Sequence, residues 1–206
     1  MKQDVFVIHG GSVFETYEGY ISYLKKKAIS REKMKPHGWK KTLGERLGDR
    51  FDVFIPDMPN KQNVKYTEWK IWFERIIPLM NPNVVLIGHS LGGAFLAKYL
   101  SEELFPKPIK ATIVIAAPYG TESEPFHTQE DPSRVAFTLS GNLDLLAKQG
   151  GSLFFFQSKD DQVVPFSNVE RYKQLLPSAK ISIFEDRGHF ELAQVPELES
   201  LLRTFV

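Results

Sequence analysis

Six short apolar runs punctuate the chain: "VFVI" (5–8), "DVFIP" (52–56), "VVLIG" (84–88), "ATIVIAA" (111–117), "LFFFQ" (153–157) and "ISIFE" (181–185). Each places apolar residues at successive positions rather than at alternate ones. Strands covered on both faces read this way, and that is the habit of parallel sheets. Between the runs the period changes. In "YTEWKIWFERII", Trp69, Trp72, Phe73 and Ile76 fall at i, i+3, i+4 and i+7, the stripe of an amphipathic helix. After the third run, Phe95, Leu96, Tyr99 and Leu100 continue such a stripe, and "YISYLKK", "WKKTLGERL", "NVERYKQLL" and "VPELESLLRTF" supply further helices. Strand–helix alternation predicts an α/β fold with helices on both faces of one sheet. Two segments break the pattern. The charged "KKKAISREKMKPHG" (25–38) reads as an exposed helix plus loop, and "PYGTESEPFHTQEDPSR" (118–134), with its three prolines, reads as a loop. No repeat or low-complexity linker divides the chain, so residues 1–206 read as a single domain.

Composition narrows the function classes. The 206 residues suffice for one sizeable core. With 26 Lys and Arg against 25 Asp and Glu, the net charge of +1 offers no electrostatic reason to expect nucleic acid. The "KKK" at 25–27 reads as a solvated charge run. The absence of cysteine removes disulfides, thiolate catalysis and zinc–thiolate sites. No apolar run approaches the ~20 residues of a membrane span, and "MKQDVFVIHGG" lacks a signal-peptide core, so a cytoplasmic location is the expectation.

The chemistry concentrates where the third run ends. Gly88-His89-Ser90-Leu91-Gly92 matches G-x-S-x-G, the turn that carries a serine between a strand and a helix. So sharp a turn strains the serine backbone and leaves no room for side chains at the glycines. It lifts the hydroxyl above the strand ends and places N–H groups at a helix N-terminus, where they can stabilise negative charge. A serine hydroxyl needs a general base, and the base needs an orienting carboxylate. Among five histidines (9, 37, 89, 127 and 189), His189 follows the last apolar run in "EDRGHFEL". "LFFFQSKDDQVVP" offers Asp160 and Asp161 as the acid. His9 and His89 read as structural histidines near the sheet edge, and His37 and His127 as solvated. The five are too scattered for a metal-ligand spacing, so no metal is expected.

In the order "VIHGG", "GHSLGG", "DDQVVP", "RGHF", the chain resembles the α/β-hydrolase superfamily over nearly its whole length. It is most similar to compact serine hydrolases of the retinoblastoma-binding-protein 9 type and their bacterial relatives. The resemblance implies a three-layer fold with about six mostly parallel strands in the order 2-1-3-4-5-6 and a minimal lid. It implies a catalytic triad of Ser90, Asp161 and His189. Asp161 is preferred because the family's acid directly precedes x-V-V-P; Asp160 is the alternative. It also implies an oxyanion hole from the N–H groups of Leu91 and Gly11, with Ser12 the second choice for the latter. The expected reaction is cofactor-free cleavage of a small ester-like substrate through an acyl-serine. Cofactor-free perhydrolase chemistry and a hydrolase-fold binding module are the rival functions. The substrate and the oligomeric state are not legible in the sequence. The short segment 117–146 leads to an expected preference for acyl chains of roughly C2 to C6, because longer chains gain only where apolar walls exist. Tyr119 and Phe126 are the candidate wall residues, and residues 25–38 the rival lid.

Overall fold

The computed structural model describes residues 2–14, 16–31, 38–120, 137–139 and 141–206. Its centre is a six-stranded parallel sheet: β1 (Gln3–Ile8), β2 (Phe51–Phe54), β3 (Val84–His89), β4 (Ile109–Ile115), β5 (Ser152–Ser158) and β6 (Lys180–Phe184). The strand order is β2-β1-β3-β4-β5-β6, the order expected from the resemblance. The helices are α1 (Tyr17–Lys26), α2 (Trp39–Leu47), α3 (Tyr66–Ile76), α4 (Leu91–Glu102), α5 (Asp144–Gln149), α6 (Ser167–Leu175) and α7 (Pro196–Arg203).

Because successive strand side chains point to opposite faces, each apolar run feeds two cores. Phe6 and Ile8 of β1, with Leu86 of β3 and Phe155 of β5, meet Trp69, Phe73, Phe95 and Tyr172 on the face covered by α3, α4, α5 and α6. Val5, Val7, Ile87 and Phe156 meet Trp39, Leu43, Leu198 and Leu202 on the face covered by α2 and α7. Trp69 is wholly buried, so trimming such a ring to alanine would cost about 3–5 kcal/mol.

The expectation of strands covered on both faces holds for β1, β3, β4 and β5, and departs at the two edges. Phe54 of β2 and Ile183 of β6 are each nearly half exposed, because an edge strand has a neighbour on one side only and the flanking helices stop short of it. The stripe of α3 is also rotated. Tyr66, Trp69 and Phe73 are buried, whereas Trp72 faces outward with its ring against the Arg75 guanidinium. The stripe on α4 is as expected, with Phe95, Leu96, Tyr99 and Leu100 all buried. Of the segment 25–38, Lys25 and Lys26 close α1, a helix with no buried residue. Residues 32–37 and 121–136 lie outside the described residues, and with them His37, Phe126 and His127.

Candidate active site

Ser90 stands alone between β3 and α4 with φ 55° and ψ −128°, a region that side-chain-bearing residues rarely occupy and that costs of order 1–3 kcal/mol. Three hydrogen bonds hold it there: Ser90 N–H donates to Ile115 O (2.8 Å), and Gly93 N–H (2.9 Å) and Ala94 N–H (3.3 Å) donate to Ser90 O. The flanking glycines are steric requirements. A Cβ on Gly92 would lie 2.2 Å from Ile8 O and 2.5 Å from His9 O; one on Gly88 would lie 2.5 Å from Gly92 O and from the Gly93 Cα. Both clashes are with backbone, which cannot swing aside.

Asp161 and His189 come together from the turns that follow β5 and β6. His189 Nδ1 lies 2.9 Å from Asp161 Oδ2 and 3.1 Å from Oδ1. The carboxylate is otherwise spent inside its own turn, where Val163 N–H (2.8 Å) and Val164 N–H (2.9 Å) donate to Oδ1 and Gln157 Nε2 (3.2 Å) donates to Oδ2. Burial pushes the Asp161 carboxyl up, but the hydrogen bonds from His189, Val164 and Val163 together outweigh it and hold the group below its ordinary range. Asp160 points elsewhere. It accepts from Ser158 Oγ (2.5 Å) and from Gly188 N–H (2.9 Å), and Ser158 Oγ in turn accepts from Arg187 N–H (2.9 Å). Asp160 thus fastens the loop that carries His189 without touching its ring.

Ser90 and His189 line one cleft of about 740 Å³, together with His9, Gly10, Gly11, Ser12, Lys40, His89 and Glu191. Among the described residues Ser90 Oγ makes no hydrogen bond to His189; such contacts are often long before substrate binds. Leu91 opens α4, so its N–H has no carbonyl one turn back to donate to and is free for a ligand. Gly11 lines the same cleft. The N–H of Ser12 donates to Lys61 O (2.9 Å), which removes Ser12 as a second oxyanion donor. Leu91 also borders a small apolar recess with Val13, Ala94, Pro118 and Phe137. Tyr119 does not line the cleft. It is buried against Tyr172, and its N–H donates to Asn168 Oδ1 (2.7 Å), so it is a core residue rather than a substrate wall.

Both neighbouring histidines bond backbone groups. His9 Nδ1–H donates to Gly10 O (2.6 Å) and its Nε2 accepts from Met58 N–H (2.9 Å). His89 Nε2–H donates to His189 O (2.8 Å), and its Nδ1 accepts from Lys40 Nζ (3.1 Å). Burial, aided by the Lys40 charge, holds the His89 imidazole well below its usual range and hence neutral. Sequence reasoning missed both Lys40 and Gln157. Lys40 sits in "WKKTLGERL", a stretch that reads from sequence as a helix and no more. Gln157 ends an apolar run, and a lone polar residue closing such a run was the available signal. Among the described residues, no three His, Asp or Glu side chains gather in a way that could hold a metal ion.

A family model described as serine hydrolase matches residues 31–200. No curated protein matches the sequence. Among solved structures, the ydeN gene product of B. subtilis superposes with a TM-score of 0.72 at 20% identity, covering 99% of this chain and 98% of its own. The thioesterase domain from the curacin biosynthetic pathway gives 0.64 at 14% identity, over 98% and 91% of the two chains. The esterase domain from a Rhodothermus marinus protein gives 0.62 at 16% identity, over 98% and 85%. At these identities the likeness is one of fold, and it matches the six-stranded parallel sheet with its flanking helices to the α/β-hydrolase architecture.

Proposed function

Because the chain belongs to the serine hydrolase family, we propose that it cleaves ester-like bonds of small acyl substrates by way of an acyl-serine on Ser90. The observation that carries this reading is the buried Asp161–His189 hydrogen bond opening onto the same cleft as a serine held on a strained strand-to-helix turn. Asp161 accepts the Nδ1–H of His189, which leaves Nε2 as the basic nitrogen. His189 Nε2 takes the Ser90 proton as Oγ attacks the carbonyl carbon. The oxyanion is held by the N–H groups of Leu91 and Gly11; losing one such donor typically costs ~2.7–4 kcal/mol in barrier. The leaving group departs with the proton from His189. Water, deprotonated by the same nitrogen, then releases the acyl group and restores Ser90. Two of the similar structures are described as an esterase and a thioesterase domain, and both of those reactions transfer an acyl group to water. The nearer kinship, with compact hydrolases of the retinoblastoma-binding-protein 9 type, is part of the same reading and rests on the motif order.

A fluorophosphonate probe tests it. The wild-type protein is expected to become labelled at Ser90, and Ser90→Ala to remain unlabelled while keeping its circular dichroism spectrum. A folded wild-type protein that resists the probe would instead favour a binding module.

A further inference from the structure

Among the described residues, Lys40 is a half-buried charge without a carboxylate partner. Its Nζ donates to His89 Nδ1 (3.1 Å) and stacks over the Trp39 ring (4.7 Å). Among the described residues no carboxylate comes within ion-pair distance of it, although Glu191 shares the cleft. It is half-buried and sits in the first turn of α2, the end of a helix that disfavours a cation. An ammonium carries three N–H donors, and His89 uses one. The remaining donors share the cleft with Ser90 and His189. The other cations of that cleft differ: Lys61 is committed to Asp57 (3.1 Å), and Lys27, over the Tyr23 ring, is exposed and keeps its hydration.

We propose that Lys40 binds a carboxylate on the substrate, so that the preferred acyl substrates are monoanions carrying a carboxylate close to the scissile ester. This deepens the hydrolase reading and rests on it for the direction of attack. One uncommitted ammonium beside Glu191 matches a single negative charge better than a phosphate dianion. The bound carboxylate replaces the water that half-buried Lys40 has lost, which is where a site of this kind gains affinity. Lys40 also has a structural role through His89, whose Nε2–H holds the His189 carbonyl. That role bears equally on charged and neutral substrates, so a comparison of the two separates the functions.

Burial lowers the Lys40 ammonium to about 8, with Glu191 pulling the other way. The titratable groups around it are His89 from β3, Glu191 from the loop after β6, and, along the same cleft, His9, His189, Asp57, Lys61, Lys27 and Tyr23. Burial presses His89 and His9 toward neutrality, so on the His89 side of the cleft the positive charge at pH 7 is that of Lys40. The cation is present below about pH 8 and is lost above it, so selectivity for the anion should fade as the pH rises through that value.

The decisive experiment measures binding in the Ser90→Ala protein, which needs no turnover. Monomethyl succinate and its neutral analogue dimethyl succinate are titrated at pH 7 and followed by NMR. The monoanion is expected to bind about tenfold more tightly, the gain of one charge-assisted hydrogen bond. That advantage should vanish at pH 9.5, and also in Lys40→Met and in Lys40→Gln, the second of which keeps a polar group facing His89. Equal binding of the two esters overturns the proposal, and so does an advantage that survives either folded variant. Failure of the fluorophosphonate labelling counts against hydrolysis alone, and equal binding of the esters counts against the Lys40 site alone.

Discussion

Asp160 and Asp161, adjacent in sequence, face opposite ways, and the consequence is measurable. Asp161→Asn leaves the turn intact but removes the acceptor that fixes His189 with its proton on Nδ1. We expect kcat for ester hydrolysis to fall by about 10⁴, as when the wrong tautomer is favoured in serine proteases. Asp160→Asn keeps an oxygen for Ser158 Oγ and Gly188 N–H, so its loss should be far smaller. The reverse ranking in steady-state assays would reassign the acid. Asp161 also links stability to pH. Its folded-state pKa lies below its unfolded one, so its contribution is complete above the ordinary carboxylate range near 4 and drains away as pH falls through the lower folded value. Urea midpoints measured between pH 2 and pH 6 should therefore fall less steeply on acidification in Asp161→Asn than in the wild type. At this scale the sequence was informative wherever a residue's role is encoded in its neighbours. "DDQVVP" favoured Asp161 over Asp160 because the resemblance puts the acid directly before x-V-V-P, and in the structure the N–H groups of Val163 and Val164 in that turn donate to it. Lys40 was invisible because its role comes from His89, 49 positions away, and sequence spacing carries no trace of that contact.

The elements divide in the same way. All six strands were legible as apolar runs: β1, β3, β4 and β5 because burial on two faces leaves that signature, and the edge strands β2 and β6 because they too carry apolar residues at successive positions. Their limits were not. β1 begins at Gln3 and takes in buried Asp4, whose carboxylate accepts from Asn81 N–H (2.9 Å) and Asn81 Nδ2 (3.1 Å), a pairing made by a distant loop. The phase of α3 slipped because Tyr66 competes with Trp72 for the buried face, and Tyr66 wins by packing against Phe95 and Phe137. The junction of β3 and α4 is the most constrained element. Gly92→Ala adds one methyl group, yet its neighbours are the carbonyl oxygens of Ile8 and His9, so the helix must shift away from β1. A destabilisation of about 1–3 kcal/mol is expected, the range for overpacking, together with lost activity, since Leu91 N–H moves with the helix. Chemical denaturation of Gly92→Ala beside wild type checks this, and an unchanged midpoint would mean that the turn is far softer than its contacts imply.

For the molecule as a whole, the question is how much of a substrate the described walls can cover. Among the described residues the cleft is rimmed by lysines, histidines and acids with Tyr23, Ile55 and Val163 between them, and a small apolar recess lies under Leu91. Each buried CH₂ is worth ~0.8 kcal/mol, but only against a wall. Across p-nitrophenyl esters, kcat/KM should peak at acyl chains of roughly C2 to C6 and decline beyond, a range set by that recess. A steady rise past C8 would mean that a deep apolar tunnel exists. The fold and the order of its strands could be read from the chain because they depend on where apolar residues recur. The reach of the pocket could not, because it depends on loops whose polar sequences satisfy many conformations equally well.

The tryptophan beneath Lys40 gives the protein a spectroscopic handle of its own. Of the three tryptophans, Trp39 and Trp69 are wholly buried and Trp72 is partly exposed. Trp69 meets the His9 ring edge-on at 5.7 Å, and Trp39 reports on the His189 side of the cleft: its indole N–H donates to Phe190 O (3.0 Å), one residue beyond His189, and its ring meets that of His89 edge-on at 6.2 Å. Any event that charges His89, draws Lys40 away or shifts the His189 loop changes the electric field at that indole. Replacing Trp69 and Trp72 with phenylalanine would leave a single emitter, whose colour and lifetime follow occupancy of the cleft in real time without a chromogenic substrate.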